Sequence, residues 1–133
     1  MKVTSFLATL CLSTIAARAA ELHPPITVGQ RVATCGHSFH VFTYRQVAEM
    51  AQAAGFKHEL AGLSSIGGST VAKHWSVPED KSAVKQVLKA GKADVLTLSP
   101  IWLPDEAIEQ FVKLGIEHNP ALRITVQEYW MPN

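Results

Sequence analysis

Cysteine, charge of one sign and long apolar runs are all scarce in this chain, and each absence removes a class of protein. Of two cysteines in 133 residues, Cys11 falls in a leader-like segment, so Cys35 stands alone and no intramolecular disulfide staples the fold. Twelve Lys and Arg against eleven Asp and Glu give a formal net charge of +1, without the basic footprint of a nucleic-acid binder or of a protein held on an anionic membrane. No internal repeat, coiled-coil run or low-complexity tract is present, and fibrous, disordered and collagen-like readings fall away. With 47% hydrophobic and 17% charged residues, the chain reads as one soluble globular domain whose own core must hold it together.

The first residues form a different category. Lys2 supplies a positive start, Val3 to Ala17 are mostly apolar or small, and Ala17-Arg18-Ala19 has the small-x-small form of a cleavage site. Thr4, Ser5, Thr9, Ser13 and Thr14 interrupt this stretch, which falls short of the ~20 apolar residues of a membrane span. Leu10 before Cys11 argues against a lipoprotein site. Residues 1–19 therefore read as a signal peptide, with a secreted or periplasmic product and no membrane association after cleavage. Residues 20–30, with Pro24-Pro25, read as an extended lead-in to a domain over 31–133.

Residues 31–35 form a β-like run closed by Gly36. Beyond a loop, Val47, Met50, Ala51 and Ala54 recur at i, i+3, i+4, i+7 ahead of Gly55, which marks a helix. Residues 57–63 read as a weaker strand and 64–70, Ser-Ser-Ile-Gly-Gly-Ser-Thr, as a loop. Pro78-Glu79-Asp80 opens a helix whose stripe of Val84, Val87 and Leu88 stops at Gly91. Residues 94–99 form the clearest strand, apolar or β-branched as for burial on both faces. A further helix starts at Pro104-Asp105-Glu106, carries Ile108, Phe111, Val112 and Gly115, and ends at Asn119-Pro120. Residues 123–128 form the last strand. Strands alternating with helices predict an α/β domain with a parallel sheet.

In such sheets ligands gather at the carboxyl ends of the strands. There the chain places Gly36-His37-Ser38-Phe39-His40, then Ser64 to Thr70 with Gly67-Gly68, then Ser99-Pro100, and finally Gln127-Glu128 and Trp130. Ser38, on a tight turn after a strand, suits a nucleophile with backbone amides nearby for an oxyanion; the bland reading is an N-cap or loop serine. His37 and His40 neighbour it as possible bases but fit ordinary pocket-lining roles better, and with Ser99 and Gln127 they are the candidate pocket. His37, His40 and His74 could hold a metal, yet no His-Glu-x-x-His motif is present and neither metal nor organic cofactor is expected. Trp75, Trp102 and Trp130 suit sugar stacking, with core anchoring the preferred reading. Cys35 reads as an inert buried residue.

Val32-Ala33-Thr34-Cys35-Gly36-His37-Ser38-Phe39 resembles the first block of the SGNH, or GDSL-like, hydrolases, in which a strand runs into Gly-x-Ser. Ser-Ile-Gly-Gly-Ser at 65–69 sits where that family's second block places its oxyanion glycine. The similarity follows the order of elements over residues 31–130 and is nearest to divergent secreted bacterial members. It implies a three-layer α/β/α flavodoxin-like fold, Ser38 as nucleophile, and the backbone amides of Ser38 and of Gly68 or Gly67 as oxyanion donors. Three positions depart from the pattern. Residue 37 is His where Asp is commonest; Ser99-Pro100-Ile101-Trp102 stands where Gly-x-Asn-Asp is expected; and no Asp-x-x-His block occurs before Asn133. A serine without an imidazole is a poor nucleophile, so the chain is expected to be the N-terminal portion of a longer hydrolase.

The resulting expectation is a secreted SGNH-like serine hydrolase domain acting on a small-molecule or carbohydrate ester. The competing expectation is a non-catalytic secreted α/β domain that binds a glycan or a protein through the same rim.

Overall fold

A computed structural model describes residues 26–128; the signal-peptide reading, most of the lead-in and Trp130 lie outside them. The small and β-branched run Arg31–Gly36 forms strand β1 and is buried from Val32 onward. Its place in the sheet explains the burial. Strands β2 (Glu59–Ser65), β1, β3 (Val95–Leu98) and β4 (Arg123–Val126) lie side by side in that order, all parallel. With β1 hydrogen-bonded to β2 on one side and β3 on the other, its residues have no solvent edge. The expected α/β class with a parallel sheet is therefore what the chain adopts.

Helices flank the sheet. After β1 come α1 (Ser38–Val41) and α2 (Thr43–Ala53), separated by Phe42. After β2 comes α3 (Val71–Trp75), then a 3-10 turn at Glu79–Lys81 and α4 (Ala83–Lys89). The helix α5 (Ala107–His118) joins β3 to β4. One sheet face carries Ala33, Cys35, Leu96 and Leu98, which form the core with Val71, Val84, Leu88 and Phe111 of α3, α4 and α5. The other face carries Val32, Thr34, Val95, Thr97 and Thr125; with Tyr44, Val47 and Ala48 of α2 they line an open cavity of about 230 Å³. No residue of α2 is fully buried. This looser cover explains why β3, expected to be buried on both faces, alternates instead: Leu96 and Leu98 are buried, Val95 and Thr97 half-buried.

Two further differences from the sequence reading have local causes. The helix expected from Pro78 starts later, because Ser82 supplies the N-cap and accepts the Lys85 N–H at 3.3 Å, a role for which a serine hydroxyl is well suited. The loop expected at 64–70 begins later too: Ser64 and Ser65 belong to β2. Within β2 the register slips by one residue, Val32 pairing with Leu60 but Ala33 with Gly62. Such a bulge reverses which side chains face which layer. It sets Gly62 beneath α4, where a Cβ would come within 3.1 Å of the Ala83 carbonyl, and puts Ser64 beside Cys35, on the core side. Among the described residues no helix is long and apolar enough to cross a membrane.

Candidate active site

Parallel strands bring all their carboxyl ends to one rim, and backbone hydrogen bonds tie the loops there together. Ile66 N–H donates to the Gly36 carbonyl at 3.2 Å, Ser99 N–H to Cys35 at 3.1 Å, and Gln127 N–H to Leu98 at 2.9 Å. The turn ahead of Ser38, the glycine loop after β2 and the segments after β3 and β4 are thus neighbours.

Ser38 is the first residue of α1 and is exposed. It is not the N-cap: His37 caps the helix, its Nδ1 accepting the Phe39 N–H at 3.4 Å. The first intrahelical bonds run from His40 N–H and Val41 N–H to His37, so the Ser38 N–H precedes the helical ladder and is not used by it. Gly67 and Gly68 are also exposed. Gly68 has φ +59° with nothing near a would-be Cβ, so glycine suits this position for its left-handed backbone rather than for lack of room.

The candidate pocket residues fall into two groups. His37 is buried, with Nε2 3.3 Å from the hydroxyl of the fully buried Ser99. Burial, and then the neighbouring His40, holds its imidazole below the usual histidine range. His40 turns to the α2 side of the sheet. Its Nδ1 donates to Gln127 Oε1 at 2.5 Å and its Nε2 lies 2.9 Å from Thr97 Oγ1, which donates to Thr34 Oγ1 at 3.1 Å. Gly36 permits this: a Cβ there would come within 2.6 Å of the His40 ring. Neither imidazole is hydrogen-bonded to Ser38 Oγ among the described residues.

A third arrangement was not expected. His74, fully buried on α3, has Nδ1 2.7 Å from Ser64 Oγ and Nε2 2.7 Å from Ser69 Oγ. Because Ser69 Oγ donates to the Ile66 carbonyl at 2.8 Å, it accepts from His74 Nε2–H, and Ser64 donates to Nδ1. Burial, and then the charge of His37, pushes the imidazole down to about 4, against the opposing influence of Asp105. A serine donating to an oriented imidazole has the form of a nucleophile and base, but an enclosed ring that weakly basic is a poor proton acceptor at neutral pH. Sequence reading missed this cluster, because the five residues of α3 are too few to show a periodic stripe.

The remaining candidates separate cleanly. Trp75 is a core anchor, edge-on to Phe111 at 4.9 Å and beneath the Lys85 ammonium at 4.3 Å. Trp102 is not; it is 58% exposed on the loop after β3, and Phe39 beside Ser38 is 68% exposed. His40 and His74 engage opposite faces of the sheet, and among the described residues no group of three His, Cys, Asp or Glu side chains is placed to hold a metal ion. Cys35 is fully buried, and burial pushes its thiol up to about 12, which keeps it protonated and unreactive. No family model, curated protein or solved structure matches this chain.

Proposed function

We propose that this chain carries the nucleophile and oxyanion donors of a secreted SGNH-like serine hydrolase of flavodoxin-like fold, acting on an ester of a small molecule or carbohydrate. The observation that carries the reading is the bond from Ile66 N–H to the Gly36 carbonyl, which sets the Gly67-Gly68 loop beside the turn that presents Ser38. The strand order β2-β1-β3-β4 supports it, being the first part of the flavodoxin-like order, whose ligands sit where the strand order reverses between β1 and β3. The His37 to Ser99 contact lies at that point.

In this reading Ser38 Oγ adds to the ester carbonyl carbon while its proton passes to a base, and the developing oxyanion is held by the Ser38 N–H and by that of Gly68 or Gly67. Collapse expels the alcohol, which takes up the proton. Water then adds to the acyl-Ser38 ester, releasing the acid and restoring the hydroxyl. Ring nitrogens of His37, His40 and His74 are engaged elsewhere, so none of these three is assigned as the base.

A fluorophosphonate probe and intact-mass spectrometry test the assignment. In the mature protein isolated from its own cells, one adduct, lost in Ser38→Ala, is expected; an adduct that survives this substitution, or none in that unsubstituted protein, overturns it. The absence of an imidazole on Ser38 Oγ among the described residues favours the second reading, a binding domain. Glycan or protein binding unchanged in Ser38→Ala, without hydrolysis of any ester tested, would select it.

A further inference from the structure

We infer that His74 is a positioning residue: by accepting from Ser64 and donating to Ser69 it holds the loop that carries Gly67 and Gly68 in one shape against the rim. The two serines flank the loop, Ser64 near the end of β2 and Ser69 just before α3, and both contact the one imidazole at 2.7 Å. The loop is gripped at Ile66 as well. Its carbonyl accepts from Ser69 Oγ at 2.8 Å and its N–H donates to Gly36 at 3.2 Å. Both of its backbone groups are thereby committed.

The glycines need such anchors. Neither Gly67 nor Gly68 has any atom within 4 Å of a would-be Cβ, so contacts around them do little to define their path, and glycine backbones are intrinsically permissive. Order must come from the residues on either side. The clamp is itself secured, because α3 is held at its start by Asp105, whose Oδ2 accepts the Val71 N–H at 2.7 Å. His74 is fully buried and Ser69 only 5% exposed, so releasing the loop would strand an imidazole and a hydroxyl without partners or water. That this order serves oxyanion binding rests on the hydrolase reading; the ordering itself does not.

Two measurements on the whole chain test the clamp without any assay of activity. Nitrogen NMR of His74 should show a neutral ring protonated on Nε2 with a bare Nδ1; the opposite tautomer overturns the inference. Backbone ¹⁵N relaxation should give order parameters near ~0.85 for Gly67 and Gly68 in the parent and below ~0.6 in Ser69→Ala. The core variant Val84→Ala, which loosens α4 without touching the loop, should leave both glycines ordered. Glycines already disordered in the parent, or equally ordered in Ser69→Ala, overturn it. In a preparation that hydrolyses esters through Ser38, Ser69→Ala should lower kcat at least ~10-fold with little change in KM, as a misplaced oxyanion donor does. A loosened loop with unchanged kcat would refute the catalytic purpose and leave the hydrolase reading intact, whereas failure of probe labelling at Ser38 would refute that reading alone.

Discussion

Asp105 caps a helix that lies 34 residues before it in the chain: its Oδ2 accepts the Val71 N–H at 2.7 Å, and its Oδ1 accepts the Ala107 N–H at 3.2 Å. One carboxylate thus serves the starts of α3 and α5. Asp105→Ala is expected to destabilise the protein by about 1–2 kcal/mol, the range for losing a helix cap, and Asp105→Asn by less, since an amide oxygen can still accept. Urea denaturation of the two variants checks this, and equal losses would contradict it.

Ser38→Ala should leave stability within about 0.5 kcal/mol of the parent, because the residue is exposed and its hydroxyl is not the helix cap. Any loss of probe labelling in that variant then reports chemistry and not unfolding. A shift of the urea midpoint as large as that of Asp105→Ala would count against this placement.

Gly36→Ala should cost about 1–3 kcal/mol, the range for forcing extra volume into a filled site. The new methyl would come within 2.6 Å of the His40 ring, which is held between Gln127 and Thr97. Thermal unfolding measures the loss, and the His40 side-chain resonances should shift with it. A variant as stable as the parent would show that the ring can move aside freely.

Acid should weaken the fold through His74 before the carboxylates matter. The imidazole sits at about 4 when folded, against 6.5 ordinarily, so between these values the unfolded chain binds a proton that the folded chain refuses. Stability therefore falls as pH drops from about 6.5 to about 4, by on the order of 2–3 kcal/mol for a shift of this size. His37, also held low by burial, acts in the same direction. Asp94, lowered by its hydrogen bond and ion pair with Arg31, adds its own loss only as pH falls further, through its folded value. Urea midpoints at pH 7 and pH 4.5 should differ in the parent and differ by less in His74→Gln, whatever that variant's baseline stability, His37 keeping its own share. An equal pH slope in both proteins would contradict the assignment.

Much of this was legible along the chain. The strand ahead of Gly36, the stripe of Phe111 and Gly115 in α5 and its stop at Asn119 follow from periodicity and from glycine and proline placement, which act locally. The loop after β3 was legible for the same reason, but the loop read after β1 is helical from Ser38, and the glycine loop starts two residues later than read. The helix α3 was not legible. Its five residues are too few to make a periodic signal, and one of its anchors, Asp105, is distant in sequence.

By itself the sequence determined the alternation of strands and helices, hence a parallel sheet, and hence that Ser38, Gly67 and Gly68 would share one rim, because parallel strands must end on the same side. Which side chains meet was decided by the tertiary structure. The one-residue slip in β2 placed Ser64 on the core side, within reach of His74, and the absence of a side chain at Gly36 let His40 fold over the strand end toward Gln127. Both outcomes depend on register and close approach between distant segments, and local propensity encodes neither.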